Sequence, residues 1–170
     1  MAALPRKLKN MNLFVDGSSF LGEVATVTLP PMTRKTEDYR GGGMNAPVKT
    51  DLGMEGLSLE WGGGGFMPEI LAKFGDPRIG GAQLRWMGAV QRDDTGAVDS
   101  VEVVTRGRFN EIGRGESKVG EDTEQTHKTD LVFYAEYWNG VEIFYIDILN
   151  MIERVRGVDR LAQQRKAIGA

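Results

Sequence analysis

Few residues in this chain are equipped for catalysis. The 170 residues include one histidine, His127, and no cysteine. Thiolate nucleophiles, disulfide frameworks and cysteine-based zinc or iron–sulfur sites are therefore excluded. So is any site that needs two histidines, including the H-E-x-x-H arrangement of zinc proteases. A Ser-His-Asp relay would have to run through His127, and no G-x-S-x-G elbow accompanies it. The sequence instead places His127 on a strand surface or edge. Adjacent carboxylates occur at Glu37/Asp38, Asp93/Asp94 and Glu121/Asp122. Catalytic carboxylate pairs must flank a pocket, whereas Asp93-Asp94-Thr95-Gly96 reads as a turn and Glu121–Glu124 lacks EF-hand spacing. Gly62-Gly63-Gly64-Gly65 lies between an expected strand and helix but lacks the Lys-Ser/Thr that grips phosphate and magnesium. It reads as a sharp turn. The aromatics Tyr134, Tyr137, Trp138, Phe144 and Tyr145 would suit base stacking, but their acidic neighbours oppose phosphate. They read as core or subunit contact. No catalytic, cofactor-binding or metal-binding residue is predicted.

The charge distribution is more informative than the formal net charge of -3. Residues 1–10 carry Arg6, Lys7 and Lys9 and no acid. Residues 151–170 also carry +3, which leaves -9 for the residues between. An acidic body with two basic ends favours solvated tails or arms that dock on another copy's body. The length favours one domain. No apolar stretch follows the basic N-terminus as a signal peptide would require, and no apolar run reaches the roughly 18 residues of a membrane span.

The elements expected to hold these residues are mostly strands. Met11–Val15 is a short strand ending at the hairpin dipeptide Asp16-Gly17. Leu21–Leu29 alternates and stops at Pro30-Pro31. Residues 32–53 form a long excursion without clear period, a length that usually marks function or disorder. A strand returns at Leu57, Leu59 and Trp61. Phe66–Gly75 is the one central helix, with Phe66, Ile70 and Phe74 on one stripe, Pro68 in its first turn and Gly75 at its end. Alternating strands follow around Leu84–Val90, Val101–Phe109 and Leu131–Tyr137, with a loop over 113–125. Asn139-Gly140 is the strongest hairpin signal, and Val141–Ile148 returns from it. Residues 150–170 read as a short helix or arm. The fold class is thus mainly β, an antiparallel barrel or sandwich with one central helix. The body spans 11–150, between a basic N-terminal arm (1–10) and a basic C-terminal segment (151–170). Consecutive apolar residues at Val132–Tyr134 and Ile143–Ile146 need cover on both faces, so one face is expected to pack on a neighbouring subunit.

Several stretches resemble the major tail tube proteins of contractile-tailed bacteriophages and the tubes of R-type tail-like bacteriocins. They are Leu4–Lys9, Asn12-Leu13-Phe14, Asp16-Gly17, Gly22-Glu23-Val24, Val27–Pro30, Arg34-Lys35 and Glu37. The most specific is Tyr39-Arg40-Gly41-Gly42-Gly43-Met44-Asn45, followed by Pro47-Val48, Asp51-Leu52-Gly53 and Leu57. Pro31 and Ala46 depart from the pattern.

The resemblance implies a structural protein without enzymatic activity or cofactor. Its fold would be similar to that of type VI secretion ring proteins. In that family six copies form a ring, each giving strands to a continuous inner β-barrel, and rings stack into a hollow tube in the virion tail that penetrates the host envelope and conducts DNA. The implied partners are further copies of itself, a contractile sheath, baseplate and tail-terminator proteins, and tape-measure protein or DNA in the lumen. Assembly would take place in the host cytoplasm. The charged excursion suggests inter-ring contacts by Arg34, Lys35, Glu37, Asp38, Tyr39 and Arg40, with Gly41, Gly42 and Gly43 shaping the loop. Arg6, Lys7 and Lys9 would dock on an acidic neighbour. An acidic channel wall would let DNA slide by repelling phosphate. The alternative within the same class is the tube of a headless R-type bacteriocin or a type VI-like injection particle; those from other classes are a monomeric ligand-binding barrel and a single-strand nucleic-acid binder.

Overall fold

A computed structural model describes residues 3–170. Its elements are β1 (Lys7–Val15), β2 (Ser18–Ser19), β3 (Val24–Thr28), β4 (Arg34–Tyr39), β5 (Val48–Met54), β6 (Leu57–Gly63), α1 (Pro68–Leu71), β7 (Ala82–Gln91), β8 (Val98–Gly113), β9 (Gln125–Trp138), β10 (Val141–Asp147), β11 (Ile152–Val155), β12 (Val158–Asp159) and α2 (Ala162–Ala167). All strand pairing is antiparallel. The two hairpin dipeptides behave as expected. Asp16 and Gly17 have φ of 48° and 86°, and Asn139 and Gly140 have 47° and 79°. Two successive positive φ values match the twist of the flanking strands.

Two long strands organise everything else. The first half of β8, through Gly107, lies between β7 and β9, while its second half pairs with β9 alone. The first half of β9 pairs with β6 and the second half with β10. The chain thus builds one sheet in the order β12-β11-β10-β9-β8-β7-β1-β2 and, from the other halves of the same strands, a four-stranded sheet β3-β6-β9-β8. The change of sheet is marked by a bulge. Arg106 pairs with Phe133 but Gly107 pairs with Leu131, so Val132 is the extra residue. A bulge bends its strand and increases the local twist. Gly107 is required there, since a Cβ would lie 2.0 Å from the Asp130 carbonyl oxygen.

The core lies between the two sheets. From β7, Ala82, Leu84, Trp86, Gly88 and Val90 are buried and alternate with more exposed neighbours. Val101, Val103, Thr105, Gly107 and Phe109 do the same on β8. Leu57, Leu59 and Trp61 face them from β6. On β9 the buried set is Gln125, His127, Thr129 and Leu131 before the bulge and Tyr134 and Ala135 after it, Tyr134 on the same face as the earlier four. The expected single alternation from Leu131 to Tyr137 therefore breaks at Val132, because one extra residue turns every later side chain to the other face.

Four local expectations are corrected. His127 is not at a surface or edge; it is 1% exposed. The helix is a single turn, Pro68–Leu71, in which Ile70 is buried while Phe66 and Phe74 are each 58% exposed. Gly62 and Gly63 belong to β6 rather than to a turn. A Cβ at Gly62 would meet Thr26 Oγ1 at 2.6 Å, and one at Gly63 would meet the Met67 methyl at 2.6 Å. Finally, the excursion is not structureless: β4 and β5 pair as a separate two-stranded sheet.

Candidate assembly surfaces

The outward face of the four-stranded sheet is polar. Alternation sends Thr26, Thr28, Ser58, Glu60, Thr126 and Lys128 to that side, opposite buried Leu57, Leu59, Trp61, His127 and Thr129. Asp130 pairs with Ser58 on one side and Arg108 on the other, and Glu111 pairs with Lys128. Lys128 Nζ also lies 3.2 Å from Glu60 Oε1. On this face the acids Glu60, Glu111 and Asp130 outnumber the bases Arg108 and Lys128 by one. Both lateral edges of the sheet are open. Among the described residues β3 pairs with β6 only, and β8 beyond Gly107 pairs with β9 only. An open edge exposes a row of unpaired amide and carbonyl groups, which invites another strand.

Behind that face the core is unusual in being polar. Gln125, His127 and Thr129 are buried on one side of β9, and neither their side-chain polar atoms nor Trp61 Nε1 has a hydrogen-bond partner among the described residues. The His127 ring stacks on Trp61 at 4.0 Å between centroids and meets Phe109 edge-on at 6.4 Å. Burial disfavours the imidazolium and pushes the pKa of His127 down to about 4. A neutral ring packed between aromatics has no nucleophile or carboxylate to serve. Further along β9, Tyr134 Oη and Trp138 Nε1 both donate to the Glu136 carboxylate at 2.8 Å. Burial first, then this acceptor, raise the Tyr134 pKa strongly. Among the described residues no cluster of three or more His, Asp or Glu side chains is arranged to hold a metal.

The β4–β5 hairpin projects from the body. All six residues of β4 are exposed, as are the first five of β5. Arg34 is at its root. Its Nη1 donates to Glu153 of β11 at 2.8 and 3.0 Å, and its Nε donates to Asp51 at 2.9 Å. These acceptors, Glu153 foremost, raise the Arg34 pKa. Asp51 is held below the usual carboxylate range by the Gly53 amide and then by Arg34. Lys35, Glu37 and Asp38 line the exposed strand, with Lys49 Nζ 3.2 Å from Asp38. Tyr39 and Arg40 reach the tip. The Arg40 guanidinium donates to the carbonyls of Met44 and Asn45 at 3.2 and 3.4 Å, which closes the loop through Gly41, Gly42 and Gly43. Gly43 takes φ +82°, a conformation that favours glycine.

The basic ends are partly neutralised within the chain. Arg6 pairs with Asp99, Lys9 with Asp93 at 2.8 Å, and the Leu4 amide donates to Asp94 at 3.1 Å. Lys7 already belongs to β1 and is exposed. Near the C-terminus Arg154 pairs with Glu142 and stacks 3.9 Å over Tyr145, and Arg165 pairs with Asp159. Residues 152–167 are not a free arm; they add β11 and β12 to the sheet and end in α2.

The family model described as phage tail tube protein FII matches residues 5–169. The chain belongs to the phage tail tube family. It is a structural subunit of a contractile tail's tube, not an enzyme. It is 46% identical over 98% of its length to the tail tube protein of Escherichia phage P2, covering 99% of that protein. It is 39% identical to the major tail tube protein of Serratia phage KSP20, with 91% of this chain and 90% of that one aligned. Solved structures share the fold at low identity. A chain of an extracellular contractile injection system's sheath–tube complex matches with a TM-score of 0.59 at 9% identity, over 78% of this chain and 91% of that one. A chain of the anti-feeding prophage's tube-terminating cap matches with a TM-score of 0.59 at 10% identity, over 81% and 93%.

The tail tube resemblance seen in the sequence is thus established, and the mainly antiparallel β fold with it. Reasoning from the sequence missed the two open edges of the four-stranded sheet. The available signal was length: β8 and β9, at 16 and 14 residues, are too long to serve a single small sheet.

Proposed function

We propose that six copies close into a ring by pairing the open edge of β8, residues 108–113, with the open edge of β3 in the next copy. The observation that carries this reading is the presence of two open edges on opposite sides of one four-stranded antiparallel sheet. An even strand count keeps the alternation unbroken, so the next subunit's β8 arrives antiparallel to β3. Ring closure removes both edges, which otherwise invite uncontrolled pairing. The polar face bearing Thr26, Thr28, Glu60, Thr126 and Lys128 then becomes the channel wall. Its excess of one acid and its hydroxyls make a wall that gives phosphate little to hold, a milder version of the acidic lining expected from a body of -9.

Rings stack through the β4–β5 hairpin, with Lys35, Glu37, Asp38, Tyr39 and Arg40 meeting the adjacent ring and Arg34 fixing the hairpin's root. Lys7, and any share of Arg6 and Lys9 released from their internal acids, is available to a neighbour. The finished tube lies in a contractile sheath, ends on baseplate and terminator proteins, and holds tape-measure protein or DNA. Assembly takes place in the host cytoplasm.

Electron microscopy of the purified protein tests this reading. Wild-type protein is expected to form hexameric rings and hollow tubes, and protein with residues 35–53 replaced by a short glycine linker is expected to stop at folded rings. Persistent wild-type monomers would overturn the proposal, and long tubes from the hairpin deletion would overturn the role of the hairpin.

A further inference from the structure

An apolar groove of about 650 Å³ runs along the root of the hairpin, between β5 and the β10–β11–α2 corner. Leu52, Met54, Ile146, Met151 and Leu161 give it apolar walls, with Ile148 at its margin. Leu52 and Ile148 are 50% and 47% exposed, a large apolar surface to leave in water. The charged groups lining it are unbalanced. Asp51, Glu55, Asp147 and Glu153 are acids, and Arg34 is the one cation among the described residues. Arg34 is shared between Glu153 and Asp51, and Glu55 has no ion pair among the described residues. The groove therefore suits a segment that is apolar and cationic.

The hairpin tip has that chemistry. From Tyr39 to Lys49 there are two cations, Arg40 and Lys49, and no acid. Tyr39 and Val48 are 61% and 48% exposed. Among the described residues Arg40 meets only neutral carbonyls, which leave its charge uncompensated. One copy cannot fill its own groove with its own tip, because the extended strand holds root and tip roughly 20 Å apart at about 3.3 Å per residue.

We infer that the groove at the hairpin's root receives the hairpin tip of a second copy, Tyr39 and Val48 entering the apolar cleft and Arg40 facing Glu55. This rests on the reading that rings stack through the hairpin, and it names the surface that receives it. A tip-to-root contact joins two different patches, so it propagates as an open line instead of closing a pair. Such a contact extends a tube in one direction and fixes its polarity.

The absence of native cysteine makes cross-linking a direct test. Full-length protein carrying Ala46→Cys and Ile148→Cys is assembled, oxidised and run on denaturing gels beside each single variant. A disulfide forms only where Cα atoms come within about 7 Å. The expected result is a ladder that continues past six subunits and collapses on reduction, with the single variants monomeric. Normal tubes without cross-links, or a ladder ending at six, would overturn the inference and leave the tube reading intact. Failure of the wild type to form tubes would instead strike the tube reading. An independent pair of variants covers poor assembly of the double cysteine protein. Arg40→Glu is expected to lower pelletable tube at least tenfold, and adding Glu55→Arg to restore it. Wild-type assembly by Arg40→Glu, or no recovery in the pair, would equally overturn the proposed contact.

Discussion

Along β7 every second residue from Ala82 to Val90 is buried, whereas along β4 all six residues from Arg34 to Tyr39 are exposed. Both are antiparallel strands of one chain, and they obey different constraints. β7 is paired on both sides, by β1 and β8, and one of its faces packs into the core. β4 has β5 alone. Two strands without a packed face are marginal in water. What fastens them to the body is Met54 at the end of β5, which packs against the core, Arg34 on Glu153, and the connection through Thr33 and Glu55, whose backbone groups bond at 2.9 Å. The body is thus organised by its own contents, and the hairpin by what it will meet.

The sharpest way to break the comparison is to place the same substitution in each region. A Cβ at Gly107 would lie 2.0 Å from the Asp130 carbonyl oxygen and 3.1 Å from the Leu131 Cα, both backbone atoms of a strand paired on its other side. Neither can move without disturbing the β8–β9 bend. Gly107→Val is expected to destabilise the body by about 3 kcal/mol or more. Gly42 lies in the hairpin loop, where a Cβ would meet nothing within 4 Å. Gly42→Val is expected to change stability by less than about 0.5 kcal/mol. Urea denaturation below the polymerisation concentration measures both. Equal effects would mean that body and hairpin are not distinct in the way described.

That asymmetry also explains what the sequence disclosed. β7 and β8 were legible because burial on one face writes a period of two into residue type. Asp16-Gly17 and Asn139-Gly140 were legible because their turns demand positive φ. The hairpin was not, since Arg34–Tyr39 buries nothing and so carries no pattern. His127 was misplaced for a related reason. Gln125-Thr126-His127-Lys128-Thr129 is polar on both faces, so alternation cannot say which side is inside. The bulge at Val132 then reverses the phase between this stretch and the aromatic one after it. Of the assembly surfaces, the hairpin residues were visible through their charge and their family motif. The open edges depend on which half of β8 pairs with what, a tertiary property.

The buried histidine gives the body a pH dependence above the carboxylate range, whereas the shifted hairpin group, Asp51, is held below that range. The folded state holds His127 at a pKa of about 4, down from the usual 6.5, because burial penalises the charged ring. The unfolded chain therefore binds more protons between those values. Stability from this residue is complete above about pH 6.5 and falls as pH drops toward 4. The loss expected at pH 5 is about 2 kcal/mol. His127→Leu should remove that component, so its stability relative to wild type should improve by this amount between pH 7.5 and 5. A constant difference between the two proteins across that range would show that the ring is not held neutral by burial.

The smallest effect tests the hairpin's attachment. The Arg34 side chain is 42% exposed and Glu153 15% exposed, so the pair lies at the edge of the body rather than within it. Exposed ion pairs contribute on the order of 0.5–1 kcal/mol, and less as salt rises. Arg34→Ala is therefore expected to speed hydrogen exchange of the β4 and β5 amides by about two- to fivefold, with the larger value at low ionic strength. The amides of β7 and β8 should exchange as in the wild type. Arg34 has no hydrogen bond to either of those strands, and its partners Asp51 and Glu153 lie on β5 and β11. Acceleration spread evenly over hairpin and body would mean that the two open as one unit, and that the hairpin is part of the fold's own cooperativity rather than a limb held ready for the next ring.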